Sequence, residues 1–361
     1  MDSKVPKEGL EPSRPFGRRI LSPLRLPFRH FGLRRTGATE GSLFSMQPFR
    51  LKASTRGGAS TQSRGANLRP MSRISKRALA LVSRLACVAA SLALTNCKDE
   101  ARASERKATD DVTSLATLAE KDVGEVERGL PAGATKMASL FANGADPSKD
   151  LAAVRTSLRH IRWDIPDLTV AKSTFFALTD AQGVAIRNDL EQDLMAGQNV
   201  VSTFPGLRKA LEGSFATAAG IFAVKPPSSS PDRDWVAAAP VKGDQGQVVG
   251  LLVTGWTFRS FANHLQVTLR HDVQEALLNA KDTGKLPILY VMVFDGTGMY
   301  SASLTPPVNE KALADLDLVA KTAAGPVHGV LNITDRNFGY AAARAPKLGP
   351  NAGVAVLRSE I

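Results

Sequence analysis

The sequence predicts an α+β fold, with an N-terminal helical region followed by two lobes, each built on an antiparallel sheet. Three observations carry this. Apolar residues keep a helical period through residues 104–163, and short β-type runs follow from residue 171 onward. The order strand–turn–strand, helix, hairpin then occurs twice. A length of 361 residues suits about two domains at roughly 150 residues each. With 43% hydrophobic and 22% charged residues, the chain has ordinary globular composition. Two cysteines exclude a disulfide scaffold and any multi-cysteine metal or iron–sulfur site.

The net charge of +12 invites a nucleic-acid reading, and its distribution removes it. Residues 1–70 hold 14 Lys/Arg against 4 Asp/Glu, and residues 71–97 add Arg73, Lys76, Arg77 and Arg84 with no acid. Residues 98–361 carry 28 basic and 30 acidic side chains, net −2 with the signs interspersed. Binding driven by counterion release needs clustered Lys/Arg, so no nucleic-acid partner is expected for the body. Residues 1–70, rich in Arg, Pro, Gly and Ser without a sustained period, read as a disordered basic tail. Within it, residues 8–31 resemble peptides read upstream of a true bacterial start. Translation is therefore expected to begin at Met71, with Met46 as the other candidate.

From Met71 the pattern becomes that of an export signal over residues 71–97. A basic stretch, Met71 to Arg77, precedes the mostly apolar run Leu85 to Leu94, and Arg84 interrupts any longer one. Ten residues fall short of the roughly 20 that a spanning helix needs. Leu94-Thr95-Asn96-Cys97 resembles a lipobox, which makes Cys97 the candidate lipidation site, with Asn96 standing where a small residue is usual. Ala101-Arg102-Ala103 offers an ordinary cleavage site for a soluble exported form.

The helical lead, residues 104–163, sets Val112, Leu115, Leu118, Val123 and Val126 on one face and is expected to break at Gly129-Leu130-Pro131. Met137, Leu140 and Phe141 form a short second stripe. Asp146 as cap and Pro147 as first residue are expected to open a third helix carrying Leu151, Val154, Leu158 and Ile161. The first lobe, residues 171–256, begins with strands at 173–178 and 184–186 around Asp180-Ala181-Gln182-Gly183. A helix is expected over 206–218, and a hairpin joins 235–239 to 248–254. A connecting helix fills residues 257–284. The second lobe, residues 288–358, repeats the order: strands at 289–294 and 299–303, a helix at 313–323, and a hairpin joining 338–343 to 353–357.

The halves can be set side by side, with one extra residue in the second copy's hairpin and different loop lengths. Phe176-Ala177-Leu178-Thr179-Asp180 with Gly183 matches Met292-Val293-Phe294-Asp295 with Gly298. Trp235 to Pro240 matches Tyr340 to Pro346, and Val249 to Val253 matches Ala352 to Val356. A strand ending in Asp-x-x-Gly, a second strand, a variable middle and a Trp-led hairpin resemble the extracytoplasmic Cache domains, most clearly over Phe175 to Trp256. The helical lead followed by two PAS-like lobes is similar to the double-Cache arrangement. The resemblance implies antiparallel sheets flanked by helices, with a small-molecule pocket in one lobe. Members of that family commonly continue into a membrane helix and an output domain. Here the sequence given stops at Ile361, so the expectation is a stand-alone binding protein or the partner of a membrane receptor.

Motifs for catalysis are not found. His160, His264, His271 and His328 are widely spaced, and His264 and His271 read as exposed helix residues, so no metal site is expected. Neither His-Glu-x-x-His nor Gly-x-Ser-x-Gly occurs, and Gly296-Thr297-Gly298 reads as a tight turn needing positive φ. No catalytic residue and no cofactor is assigned. For ligand binding, Arg187, Asn188 and Asp189 follow the second strand, where a cation and an anion together suit a zwitterion. Trp235 and Trp256 offer apolar walls, and Arg259 offers a partner for a carboxylate. The function expected is non-catalytic small-molecule binding. An envelope structural or protein-interaction lipoprotein is the alternative.

Overall fold

A long helix whose buried residues recur every three or four positions is the wall on which the molecule is built. In the computed structural model the described residues are 76–170, 175–222, 232–281 and 285–360, those at 76–98 and 170 by backbone only. The basic tail and the start of the export signal lie outside them. So do most of the Pro/Ser-rich loop before Asp232 and the expected helix end at Thr283-Gly284. Cys97 lies in the backbone-only stretch.

Helix α1 (Lys76–Met137) buries Ala108, Val112, Leu115, Ala119, Val123, Val126, Leu130, Ala134 and Met137 in one unbroken stripe. The expected break at residues 129–131 does not occur. Leu130 belongs to the stripe, and the glycines serve packing: a Cβ on Gly129 would stand 2.8 Å from Leu168 Cγ, and one on Gly133 2.7 Å from Leu252 Cδ2. Pro131 is exposed, where water can take the hydrogen bond that its missing N–H forfeits. After a turn through Asn143 and Gly144, both at positive φ, Asp146 caps only the single 3-10 turn Pro147–Lys149. Asp150 caps α2 (Leu151–Asp164), accepting from Ala153 N at 2.9 Å, so the third helix opens four residues later than expected. Helix α3 (Pro166–Val170) follows.

The first lobe comprises β1 (Phe175–Thr179), β2 (Ala185–Asn188), α4 (Val200–Thr203), α5 (Arg208–Leu211), β3 (Ala216–Gly220), β4 (Asp234–Lys242) and β5 (Val248–Thr257). After α6 (Phe258–Asn279) the second lobe runs β6 (Ile288–Asp295), β7 (Gly298–Ser301), α7 (Pro307–Ala314), α8 (Leu318–Lys321), β8 (Val327–Ile333), β9 (Arg336–Arg344) and β10 (Gly353–Ser359). Both sheets are antiparallel, and their orders, β2-β1-β5-β4-β3 and β7-β6-β10-β9-β8, are the same order twice. Strand pairing shifts part of the expected alignment. Gly250 faces Val241 and Gly353 faces Arg344, so equating the glycines sets Trp235 against Phe338 rather than Tyr340.

Two helices were expected too long. Gly213, at φ 97, ends the first, and Ala216 already belongs to β3. In the second lobe α7 starts at Pro307, and Asp317, at φ 47, breaks the chain and caps α8. The Asp-x-x-Gly turns also differ. Gly183 has φ 79, whereas the turn after Asp295 has no residue at positive φ. There Asp295 Oδ1 does the closing, accepting from Thr297 N at 2.8 Å and Gly298 N at 3.2 Å.

One face of each sheet packs on α1 in a single core. Trp235, Leu252 and Trp256 of the first lobe join Val291, Ala341, Val354 and Val356 of the second. Each opposite face has its own apolar cluster, around Phe204 and Val253 in the first lobe and Phe294 and Leu313 in the second. The closest approach is at Gly339 on β9, where a Cβ would stand 2.2 Å from Glu105 N on α1. Backbone meets backbone there, so no rotamer change relieves a side chain. Gly339→Ala is expected to lower stability by roughly 1–3 kcal/mol in thermal unfolding of the full chain. Gly296→Ala, where the nearest atom to a Cβ is 3.7 Å away, should leave it unchanged.

Candidate functional site

Arg187 and Asn188 close β2 and Asp189 follows it, and all three are engaged in holding the first lobe together. Asp189 is buried: its Oδ1 accepts from Phe176 N at 2.7 Å and its Oδ2 pairs with Arg162 of α2 at 2.7 Å. Asn188 Oδ1 accepts from Leu190 N at 3.0 Å. Arg187 pairs with Asp193 at 3.2 Å, and Asp193 also accepts from the backbone N–H groups of Asn188, Met195 and Ala196. The zwitterion-matching pattern of residues 187–189 is thus occupied by the protein's own charges.

The two tryptophans lie on the face turned to α1. Trp235 and Trp256 are cross-strand partners, stacked with ring centroids 4.3 Å apart, and Phe261 of α6 extends the stack at 4.8 Å from Trp256. Both are 1% exposed, and each buried indole N–H lacks a hydrogen-bond partner. They form core, on the opposite side of the sheet from the cluster around Phe204.

Arg259 is the sequence-expected residue that lines a cavity. It sits in the first turn of α6 and reaches the second lobe, where its guanidinium forks onto Glu310 of α7 at 2.8 and 3.0 Å. The same guanidinium donates to Ser301 O at 3.2 Å and lies over the Tyr300 ring. Glu310 in turn accepts from Ser301 N at 3.1 Å and from its hydroxyl. Beside the pair opens a cleft of about 640 Å³, with Ser303, Thr305 and Lys311 on its wall. The Thr305 hydroxyl is buried without a partner, and Lys311 is exposed, paired only with Asp315 of its own helix. A second hollow of about 260 Å³, bordered by Asp295, Gly298, Asp317 and Leu318, shares Met299 and Ala314 with the cleft.

The cleft lies where the lobes join. Arg233, just before β4, pairs with Asp295 at 2.6 Å, and Phe258 packs edge-on against Tyr300 at 5.4 Å. Burial by itself would raise the Glu310 carboxyl, but the hydrogen bonds from Arg259 and Ser301 outweigh it and hold it below the usual carboxylate range. Sequence reasoning missed Glu310 because the helix was expected to start at residue 313. The Pro306-Pro307 pair, with a carboxylate one turn later, was the signal that marks the true start.

Two histidines reach α1: His264, expected to be exposed, is largely covered, while His328 is exposed, and His271 is exposed as expected. His264 Nε2 lies 3.0 Å from Asp122 Oδ2, and His328 Nδ1 lies 2.6 Å from Glu105 Oε1. Among the described residues no group of three His, Cys, Asp or Glu is placed to hold a metal ion. No helix among them is long and apolar enough to cross a membrane.

No protein-family model matches the chain, and no curated protein is similar to it. Solved structures are. An extracellular ligand binding receptor from Desulfohalobium retbaense DSM5692 aligns at 12% identity and TM-score 0.42, over 69% of this chain and 39% of that one. The chain therefore spans well under half of that receptor. The periplasmic sensory domain of the Campylobacter jejuni chemoreceptor Tlp1 aligns at 16% identity and TM-score 0.40, over 72% of this chain and 95% of that one. The ligand binding domain of the Pseudomonas aeruginosa PAO1 amino acid chemoreceptor PctC, in complex with GABA, aligns at 12% and 0.38, over 71% and 99%. The fold itself, a long helix and two five-stranded antiparallel sheets with one strand order used twice, is the helical lead and two lobes expected from the sequence.

The Arg259–Glu310 pair makes a prediction about acid. A carboxylate held below its ordinary range contributes stability that is complete above the unfolded value, about 4.3, and is lost as pH falls through the lower folded value. Glu310→Gln should cost roughly 1–3 kcal/mol near neutral pH, because it leaves Arg259 without its anion. The variant's unfolding temperature should then fall less than the parent's between about pH 5 and pH 3. Parallel acid profiles for the two proteins would show that the pair does not hold α7.

Proposed function

We propose that the chain is an extracytoplasmic small-molecule binding or sensing protein whose ligand sits in the second-lobe cleft between β7 and α7. The observation that carries this reading is the cleft itself. Within it an arginine, a carboxylate, an exposed lysine paired with Asp315 and three hydroxyl residues converge at the joint between the lobes. Sites for small ligands combine such concavity with a few fixed polar groups. In this reading the chemistry is binding, with the Glu310 charge matched by Arg259. In this proposal Arg259 keeps the role that the sequence suggests. Arg187, Asn188, Asp189, Trp235 and Trp256 shape the first lobe instead.

Export through residues 71–97 and lipid attachment at Cys97 belong to the same reading, with a membrane receptor as the partner that receives the signal. The envelope structural alternative draws on the exposed apolar side chains Trp163 and Leu304, 71% and 85% accessible. A thermal-shift screen of the full chain with amino acids, amines, carboxylates and their short oligomers separates the two. A ligand at a hundred times its dissociation constant stabilises by about 2.7 kcal/mol. Ser303→Trp, at an exposed position on the cleft wall, should abolish that shift without altering the unliganded unfolding temperature. No shift from any class, or a shift that survives Ser303→Trp in full, would overturn the assignment. Cys97→Ser should abolish lipid labelling, and unchanged labelling would remove the anchor from the proposal.

A further inference from the structure

β7 is an edge strand, and hydrogen-bond alternation decides which of its groups face outward. In its pairing with β6, Asp295 faces Gly298, Phe294 faces Met299, Val293 faces Tyr300 and Met292 faces Ser301. Ser301 N–H points at Glu310 rather than across to β6, so Ser301 and, two residues earlier, Met299 direct their backbone groups to the open edge. At Ser301 the edge is closed by side chains. Glu310 takes the N–H at 3.1 Å and Arg259 donates to the carbonyl at 3.2 Å, so the ion pair stands where a neighbouring strand would be. At Met299 neither the N–H nor the carbonyl is taken up by any described residue. Met299 also lines both the cleft and the adjoining hollow, as Ala314 does, which makes them one groove along this edge.

Taking the cleft as the ligand site, we infer that its occupant is a short free peptide, bound as one extra strand beside Met299 and parallel to β7. Backbone pairing to an exposed edge is a general mode of peptide capture. In parallel pairing, Met299 N–H donates to the carbonyl of the peptide's first residue, and Met299 carbonyl accepts from the N–H of its third. Direction follows from charge. The Gly298 end of the groove carries Asp317, exposed and engaged only as the cap of α8, which suits a terminal ammonium. The Ser301 end carries Arg259 and Lys311, which suit a terminal carboxylate. Length follows from the ion pair, which already fills the strand position at Ser301 and stops the peptide there. The second residue's side chain points to Ala314, Leu318 and Val319, so an apolar residue is expected at that position.

Calorimetry on the full chain with trialanine and four derivatives tests this. Trialanine should bind. Methylating the third residue's nitrogen, which blocks the bond to Met299 carbonyl, should weaken binding roughly tenfold. Methylating the second residue's nitrogen, which faces away, should leave affinity within about twofold. Acetylating the amino end or amidating the carboxyl end should each weaken binding several-fold. Equal affinity for the two methylated peptides would overturn the strand-pairing inference. Binding of single amino acids or amines with trialanine inert would overturn the peptide assignment while leaving the cleft as a ligand site. Failure of every class to bind would remove both.

Discussion

Everything in the second half of the molecule is positioned by one constraint: two separate sheets must bury a face against the same helix. The stripe from Ala108 to Met137 supplies a continuous apolar surface, and small residues set how near each sheet can come. Gly339 lets β9 touch the helix backbone, and Gly133 admits Leu252 of β5. The C-terminal strand is locked to the same helix by charge. Arg358 pairs with Asp111 at 2.8 Å and with Glu360 at 2.7 Å, and Glu360 N–H donates to Ser104 Oγ. A buried ion pair of this kind adds little net stability but is costly to break.

Because α1 fixes both sheets, the lobes meet in a defined way, and the polar groups at their joint acquire roles they have in neither lobe alone. Arg259 belongs in sequence to the connecting helix, yet its partners are Ser301, Tyr300 and Glu310 of the second lobe. Arg233 belongs to the first lobe and neutralises the turn aspartate of the second. A ligand that draws on Arg259 or Lys311 therefore acts on the same contacts that hold α7 and the joint.

Much of this fold was legible in the sequence, because period and repetition survive without knowledge of contacts. The helical lead, both strand–turn–strand units and both hairpins emerge at nearly their observed places. What failed had local causes. Gly129 and Pro131 look like a helix break in sequence, yet Gly129 gives Leu168 the room it packs into and Leu130 continues the buried stripe. The edge strand β8, whose alternate residues are exposed, gives too weak an apolar signal to register. The site was the less legible part, since a charged residue's partner is set by topology. Nothing in the spacing of Asp189 and Arg162, or of Arg259 and Glu310, announces that each pair meets.

Placing the ligand in the second lobe is the central claim, and amide hydrogen exchange tests it most directly. The measurement compares the full chain alone with the chain saturated by the compound that stabilises it most against heat. Slowed exchange at residues 299–311, spreading to the start of α6, is the predicted result. Protection confined to residues 185–222, with the β7–α7 segment unchanged, would contradict it and return the ligand to the first lobe.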